Sequence, residues 1–173
     1  MFEHLESIRS DLKPMFGRLR KLTADEIEPM RKLYPQCPAA YWAFLMERGA
    51  GALEQDGEPF FFEDHLVSAE TELYRDRLIY DNGAKGDVMF FGSESMGTAY
   101  GFDSGDNWRL VEVDEFRIVT PLSLTFEQFI DGLILCYPQI AISVEGKEWI
   151  DGVGTRYQLP APTPDSERST PRG

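Results

Sequence analysis

The residues that could catalyse a reaction are few and lie far apart in this sequence. Acyl transfer needs a nucleophile, a base and a group that orients the base within hydrogen-bond reach. The chain has two histidines, His4 near the N-terminus and His65 in an acidic segment, and no serine stands in a Gly-x-Ser-x-Gly motif. Cys37 precedes a proline and Cys136 lies in an apolar stretch, which favours structural thiols. We therefore expect a protein that is not an enzyme.

Metal and cofactor motifs are incomplete. The segment from Asp103 to Asn107 places carboxylates three residues apart, but it lacks the twelve-residue spacing and final glutamate of a calcium loop. Asp, Ser, Gly and Asn are also the residues that a hairpin turn requires, and this explanation is the simpler one. The segment 83–86 matches only a fragment of a phosphate loop. We expect no metal site and no cofactor.

The net charge of −13 restricts the class of partner. The first 22 residues hold five basic and three acidic side chains, so the acidity is concentrated in the rest of the chain. A strongly acidic surface repels phosphate backbones and speeds the encounter with a basic protein. This pattern predicts a basic protein partner and no nucleic acid. The alternative is that the acidity only keeps the protein in solution.

Two acidic segments are the candidate partner-binding residues. Trp108, Leu110 and Glu112 would share one face of a strand, and an open face there would combine an aromatic anchor with carboxylates. In the other interpretation Trp108 is buried against a helix and the carboxylates form a solvated rim. The candidate residues are Glu54, Asp56, Glu58, Glu63 and Asp64 in the first segment and Asp103, Asp106, Trp108, Glu112 and Asp114 in the second.

Helix signals mark both halves of the chain. Leu5, Ile8 and Leu12 predict a short amphipathic helix that Pro14 would end. Capping boxes begin at Thr23 and at Thr125, and the second precedes an apolar stripe that runs to Tyr137. Between them, a helix should begin at Pro38 and stop at Gly49.

Strand signals fill the middle of the chain. A strand is predicted at residues 60–62, followed by an irregular or short helical passage over 66–81 that closes at Asn82 and Gly83. Four short strands then form a meander near 87–92, 97–103, 108–114 and 116–120. A further extended piece is possible at 140–144. The pattern predicts an α+β fold in which helices pack against a mostly antiparallel, meander-like sheet.

The domain organisation follows from composition. Residues 1–22 form a helical arm, 23–159 form one domain, and 160–173 are a proline-rich and polar tail that we expect to be disordered. The N-terminus has acidic residues where a secretory signal has basic ones, no apolar run approaches membrane-spanning length, and the two cysteines indicate free thiols. We expect a cytoplasmic protein with no membrane contact.

Three segments resemble the SMI1/KNR4 family of the SUKH superfamily. Cys37-Pro38-Ala-Ala-Tyr41-Trp-Ala-Phe44-Leu45 with Gly49-Ala-Gly51 is similar to its Leu-Pro, Tyr, Phe-Leu and Asn-Gly-Gly signature. Phe90-Phe91-Gly92-Ser93-Glu94, with Gly97, Tyr100 and Phe102-Asp103, resembles its Phe-Gly-Ser-Asp hairpin and Phe-Asp strand end. Thr125-Phe126-Glu127-Gln128-Phe129-Ile130 is similar to its closing helix. The matches follow the family's order and cover roughly residues 23–136.

The resemblance implies a non-catalytic, SUKH-like single domain. Many bacterial members of that family look like immunity proteins, which neutralise polymorphic toxins delivered by contact-dependent or type VI secretion. Together with the acidic charge of the chain, the resemblance predicts a protein that occludes a cognate toxin, with a basic nuclease-type domain as the favoured partner. We expect a monomer or weak homodimer. The alternative is a regulatory or scaffold module that binds another protein and has no toxin partner.

Overall fold

The computed structural model describes residues 1–54, 57, 59–70, 78–80, 86–138, 141–142, 148–150 and 156–158. The predicted turn at Asn82 and Gly83 and the predicted tail at 160–173 lie outside these residues. Five helices are α1 (Leu5–Ile8), α2 (Lys13–Phe16), α3 (Ala24–Leu33), α4 (Ala39–Glu47) and α5 (Phe126–Cys136), and a short 3-10 turn covers Ser10–Leu12.

The main sheet has seven strands, and its order confirms the predicted meander. The strands are β1 (Gly51–Leu53), β2 (Phe60–Ser68), β3 (Ile79–Tyr80), β4 (Val88–Glu94), β5 (Ala99–Asp103), β6 (Arg109–Val113) and β7 (Ile118–Pro121). They lie in the order β1-β2-β4-β5-β6-β7-β3, and every pair is antiparallel except β3 with β7. A second sheet contains β8 (Ala141–Ile142), β9 (Glu148–Ile150) and β10 (Arg156–Gln158). The chain is thus an α+β protein, as the sequence predicts.

Side chains on the two faces of the main sheet enter different cores. Alternate residues of β2, β5 and β6, such as Phe62, Phe102 and Leu110, pack under the helices. On the opposite face of the sheet, a smaller cluster contains Phe90 of β4, Val111 and Val113 of β6, and also Ala69 and Leu78. All five residues of β5 are buried, because this strand has paired neighbours on both sides and is covered on both faces.

Both predicted capping boxes are present. The Thr23 hydroxyl accepts the Glu26 amide at 3.3 Å, and Glu26 in return accepts the Thr23 amide at 2.8 Å. Thr125 and Gln128 make the same reciprocal bonds at the start of α5. Pro38 is the N-cap of α4. Gly49 follows α4 with a φ of +110°, where a Cβ would lie 2.5 Å from the Arg20 carbonyl.

The N-terminal arm is part of the main core. Phe2, Leu5 and Leu12 are fully buried. Arg48, at the end of α4, donates from Nε and Nη2 to the Phe2 carbonyl at 3.0 and 2.6 Å and from Nη1 to Glu6 at 2.8 Å. These charge-assisted bonds join the arm to α4.

Two local predictions are wrong. Pro14 does not end a helix but lies in the first turn of α2, where its missing N–H costs nothing. The passage at 66–81 is not helical in its described part, because β2 continues to Ser68 and β3 covers Ile79–Tyr80. The pairing of β2 with β4 shifts between Phe62 and Val67, so a bulge interrupts the alternation that would have identified the longer strand.

We expect Leu5→Ala to lower the free energy of unfolding by roughly 2–5 kcal/mol, because it leaves a cavity at a fully buried position. The matched control is Leu33→Ala, since Leu33 is 69% exposed and its truncation should change stability by less than about 0.5 kcal/mol. Urea denaturation measures both. Equal midpoints for the two variants would mean that the arm does not unfold together with the domain.

Candidate partner-binding surface

The residues predicted as a partner-binding site fall in three different places. Glu54, Glu112 and Asp114 lie at one end of the main sheet, because Leu53 pairs with Phe60 and Phe60 pairs with Glu94 at that end. Asp103, Asp106 and Trp108 lie at the opposite end, in the turn between β5 and β6. Glu63 and Asp64 lie on β2 between them. Asp56 and Glu58 are outside the described residues.

Trp108 is not an exposed anchor. Its side chain is 8% exposed and packs edge-on against Tyr34, with ring centroids 5.8 Å apart, and near Phe102 at 6.3 Å. The predicted open face with Leu110 and Glu112 is therefore wrong, and the alternative of a buried tryptophan is the one observed. The physical reason is that the face shared by Trp108 and Leu110 is covered, since both side chains belong to the main core beneath the helices.

Asp103 does not present a charge at the surface. It is fully buried, and its carboxylate accepts the amides of Gly86 at 3.2 Å and Gly105 at 3.1 Å. The two glycines approach so closely that a Cβ on Gly86 would lie 2.8 Å from the Gly105 Cα. Asp103 thus holds the β5–β6 turn against the start of β4. Asp106, in the same turn, is half-buried and lies 3.8 Å from Arg109.

Asp64 belongs to a local ion-pair chain. It accepts from His65 Nδ1 at 2.6 Å and from Arg20 at 3.2 Å, and Arg20 also contacts Glu26 at 2.7 Å. The hydrogen bond from His65, followed by that from Arg20, lowers the pKa of Asp64. The adjoining open groove, about 640 Å³, is lined by Arg18 as well as Glu63. Both signs of charge meet there, so this groove has no strong preference for a basic partner.

The acidic end of the sheet gathers carboxylates from three strands, β1, β4 and β6, and from the turns that follow them. The Glu94 amide donates to the Thr98 carbonyl at 2.9 Å, and the Asp114 amide donates to the Ile118 carbonyl at 3.2 Å, so these residues form one row. The turns at 94–98 and 114–117 touch, because a Cβ on Gly97 would lie 4.0 Å from the Cβ of Glu115. We call this surface the acidic end; it comprises Glu54, Glu94, Met96, Glu112, Asp114, Glu115 and Phe116.

Two exposed apolar side chains lie at the tips of this surface, and the sequence analysis missed both. Met96 and Phe116 are each 70% exposed. Met96 stands between two predicted strands, where an exposed side chain is expected, whereas Phe116 was predicted to begin the strand at 116–120 and instead lies in the turn before β7. Asp114 fixes the second turn by accepting the Phe116 amide at 3.0 Å and the Ile118 amide at 2.8 Å. The basic residue Arg117 lies in the same turn, 114–117, and is half-buried.

Glu112 is the most perturbed carboxyl at the acidic end. Burial raises its pKa, a hydrogen bond with the Tyr100 hydroxyl opposes this, and the charges of Glu94 and Asp114 raise it further. Tyr100 is itself buried, and burial followed by the charge of Glu112 raises the pKa of its hydroxyl. The ring of Tyr100 packs against Phe129 of α5, with ring centroids 4.8 Å apart and ring planes tilted by 49°. The carboxylate of Glu112 therefore lies directly against the core.

The groups considered for catalysis lie apart in the structure. His4 pairs with Asp131 at 2.6 Å at the N-terminal arm, whereas His65 pairs with Asp64 on β2. Burial raises the pKa of the Cys37 thiol, so the nucleophilic thiolate is disfavoured. Cys136 is buried as well. Within the described part of the chain, no group of three His, Cys, Asp or Glu side chains could hold a metal ion.

None of the helices in the described residues has both the length and the apolar character needed to cross a membrane. Comparison of the chain with protein-family models, with curated proteins and with solved structures gave no match. Membership of the SMI1/KNR4 family therefore stays a prediction from the three sequence motifs.

We expect Glu112→Gln to raise the melting temperature at pH 7. A carboxyl whose pKa is raised on folding contributes stability below its unfolded-state pKa and loses that contribution as the pH rises through its folded-state pKa. Glutamine cannot ionise, so the variant escapes this loss, and its advantage should vanish below about pH 4. The control is Glu115→Gln, which removes the same charge at an exposed position. A melting temperature lowered by Glu112→Gln at pH 7 would contradict the burial argument.

Proposed function

We propose that this protein is a non-catalytic immunity protein that binds a cognate secreted bacterial toxin through its acidic end and neutralises it by occlusion. The observation that carries the proposal is the pair of exposed apolar tips, Met96 and Phe116, among the carboxylates of the acidic end. The resemblance of three sequence segments to the SMI1/KNR4 family supports the same conclusion. The protein would act in the cytoplasm as a monomer or weak homodimer.

The composition of the acidic end suits the binding of a basic protein. Large apolar or aromatic side chains that become fully desolvated supply most of the binding energy in protein interfaces, whereas charges mainly raise the association rate and select the partner. Glu54 and Asp114 are separated by four strand spacings of about 4.8 Å, which makes the row about 19 Å long. This length fits within a standard interface of about 800 Å² per partner.

A toxin that cleaves nucleic acid is the favoured partner because of its own charge. Such an enzyme must attract a phosphate backbone with lysine and arginine side chains. An acidic protein with a net charge of −13 complements that surface and competes with the phosphates for it. The same charge disfavours binding of this protein to nucleic acid itself.

The experiment that tests the function is co-expression with the toxic C-terminal domain of the nearest secreted effector. Rescue of growth together with a co-purifying complex would support the immunity role. Toxicity without rescue and without a complex would overturn it. The second candidate, a regulatory or scaffold module, uses the same apolar tips on another basic protein, and a pull-down that yields a partner without toxicity would favour it.

We expect Phe116→Ala to weaken the complex by about 1–3 kcal/mol, because it removes the largest exposed apolar side chain of the acidic end. The free energy of unfolding of the variant itself should change by less than about 0.5 kcal/mol, since the exposed Phe116 side chain makes few packing contacts. Surface plasmon resonance measures the first effect and thermal melting the second. Unchanged affinity would show that the interface lies elsewhere.

We expect the double variant Glu54→Lys and Glu115→Lys to slow association and reduce its salt dependence, because both side chains are exposed at the acidic end. The matched control is Glu3→Lys and Asp25→Lys, which changes the net charge equally at exposed positions outside the acidic end. Association rates at two salt concentrations distinguish the two pairs. An equal effect of both pairs would indicate long-range attraction without a specific acidic interface.

A further inference from the structure

We propose that the cavity between Tyr34 and Trp108 binds an organic cation, namely the guanidinium or ammonium group of an arginine or lysine side chain. The cavity measures about 260 Å³ and lies at the end of the sheet opposite to the acidic end. Glu70 and Asp87 line it together with the two aromatic residues, and Met89 forms part of its wall. The proposal does not depend on the immunity function.

Backbone hydrogen bonds fix the carboxylates relative to the indole. The Ser104 amide and hydroxyl both donate to the Asp87 carbonyl, at 3.0 and 2.9 Å, which ties the loop that carries Trp108 to the strand that follows Asp87. The Ala69 amide donates to the Val88 carbonyl at 2.9 Å and so places Glu70 beside the same strand. Hydrogen bonds therefore join the segments that carry Glu70, Asp87 and Trp108.

The conformation of the loop favours a functional reason for the tryptophan. Asn107 and Trp108 follow one another with φ values of +54° and +58°. Asparagine tolerates this left-handed region, but a bulky side chain rarely adopts it and does so at a cost in free energy. That cost persists only where the surrounding structure enforces it. The result here is an indole that contacts Tyr34 and lines the cavity at the same time.

The chemistry of the lining suits a cation. The faces of Trp and Tyr rings attract ammonium and guanidinium groups, and the carboxylates of Glu70 and Asp87 are exposed and add Coulomb attraction. Met89 and the indole offer an apolar wall for the methylene stem of such a side chain. The volume is below the range of about 300–1,000 Å³ for small-molecule pockets, which fits one side chain better than a larger ligand.

Among the described residues, no basic side chain lines the cavity, whereas two carboxylates do. Arg109 is exposed and is paired with Asp106. Arg31 and Lys32 line a separate cavity next to Tyr34.

The test is a titration of the full chain, labelled with ¹⁵N at tryptophan, followed by the indole N–H resonance of Trp108. The probes are Nα-acetyl-arginine amide, Nα-acetyl-lysine amide and, as an uncharged isostere, Nα-acetyl-citrulline amide. We expect a saturable shift of Trp108 with the two cations, little shift of the buried Trp42, and no saturation with citrulline. Because both carboxylates are exposed, Glu70→Gln with Asp87→Asn should fold normally and bind roughly tenfold more weakly.

The matched control is Glu54→Gln with Glu115→Gln, which removes the same charge at the acidic end and should leave the titration unchanged. Free guanidinium and tetramethylammonium ions distinguish the source of the ligand. If they bind as tightly as the amino-acid amides, the cavity takes small cations; if the amides bind more tightly, it takes side chains of a peptide or protein. Equal binding of citrulline, equal weakening by the control pair, or no saturable shift with any cation would overturn the proposal.

Discussion

The packing around the Phe126 ring joins the N-terminal arm, α4 and α5 to the main sheet. This side chain lies at the start of α5 and is almost fully buried. Its neighbours come from the N-terminal arm, from α4 and from two central strands, at centroid distances of 5.2 to 6.3 Å: Phe2, Tyr41, Phe44, Phe91 and Phe102. Aromatic pairs of this geometry contribute beyond the area they bury. The capping box at Thr125 fixes the helix turn that holds the ring.

This core leaves little of the three central strands available for binding. β5 is buried along its whole length, and its neighbours β4 and β6 are buried over most of theirs. Around these three strands, exposed groups that could meet another molecule lie in the turns at 94–98 and 114–117 and around the loop at 103–108. Binding residues are commonly found on loops that a rigid scaffold positions. The acidic end and the cation cavity are two such places on the same strands.

The features that were predictable from the sequence are those set by local interactions. Capping boxes, the apolar stripe after Thr125 and the turns of the meander each depend on a few neighbouring residues. Trp108 and Asp103 were misplaced because their environment is tertiary. The face that Trp108 shares with Leu110 is covered in the main core, and Asp103 is buried through amides of Gly86 and Gly105 that lie outside its strand. The placement of Phe116 beside the Glu94 turn likewise requires the pairing of four strands.

The acidic end brings like charges close together, which lowers the stability of the free protein. Glu112 is half-buried next to Glu94 and Asp114, and its raised pKa means that ionisation at neutral pH reduces stability. Stability alone would favour a neutral side chain at this position. Charged residues that reduce the stability of a protein are common at positions where binding requires their charge. In the proposed complex a basic toxin would add positive charge beside Glu112, so that a carboxylate that destabilises the free protein would help to select and stabilise its complex.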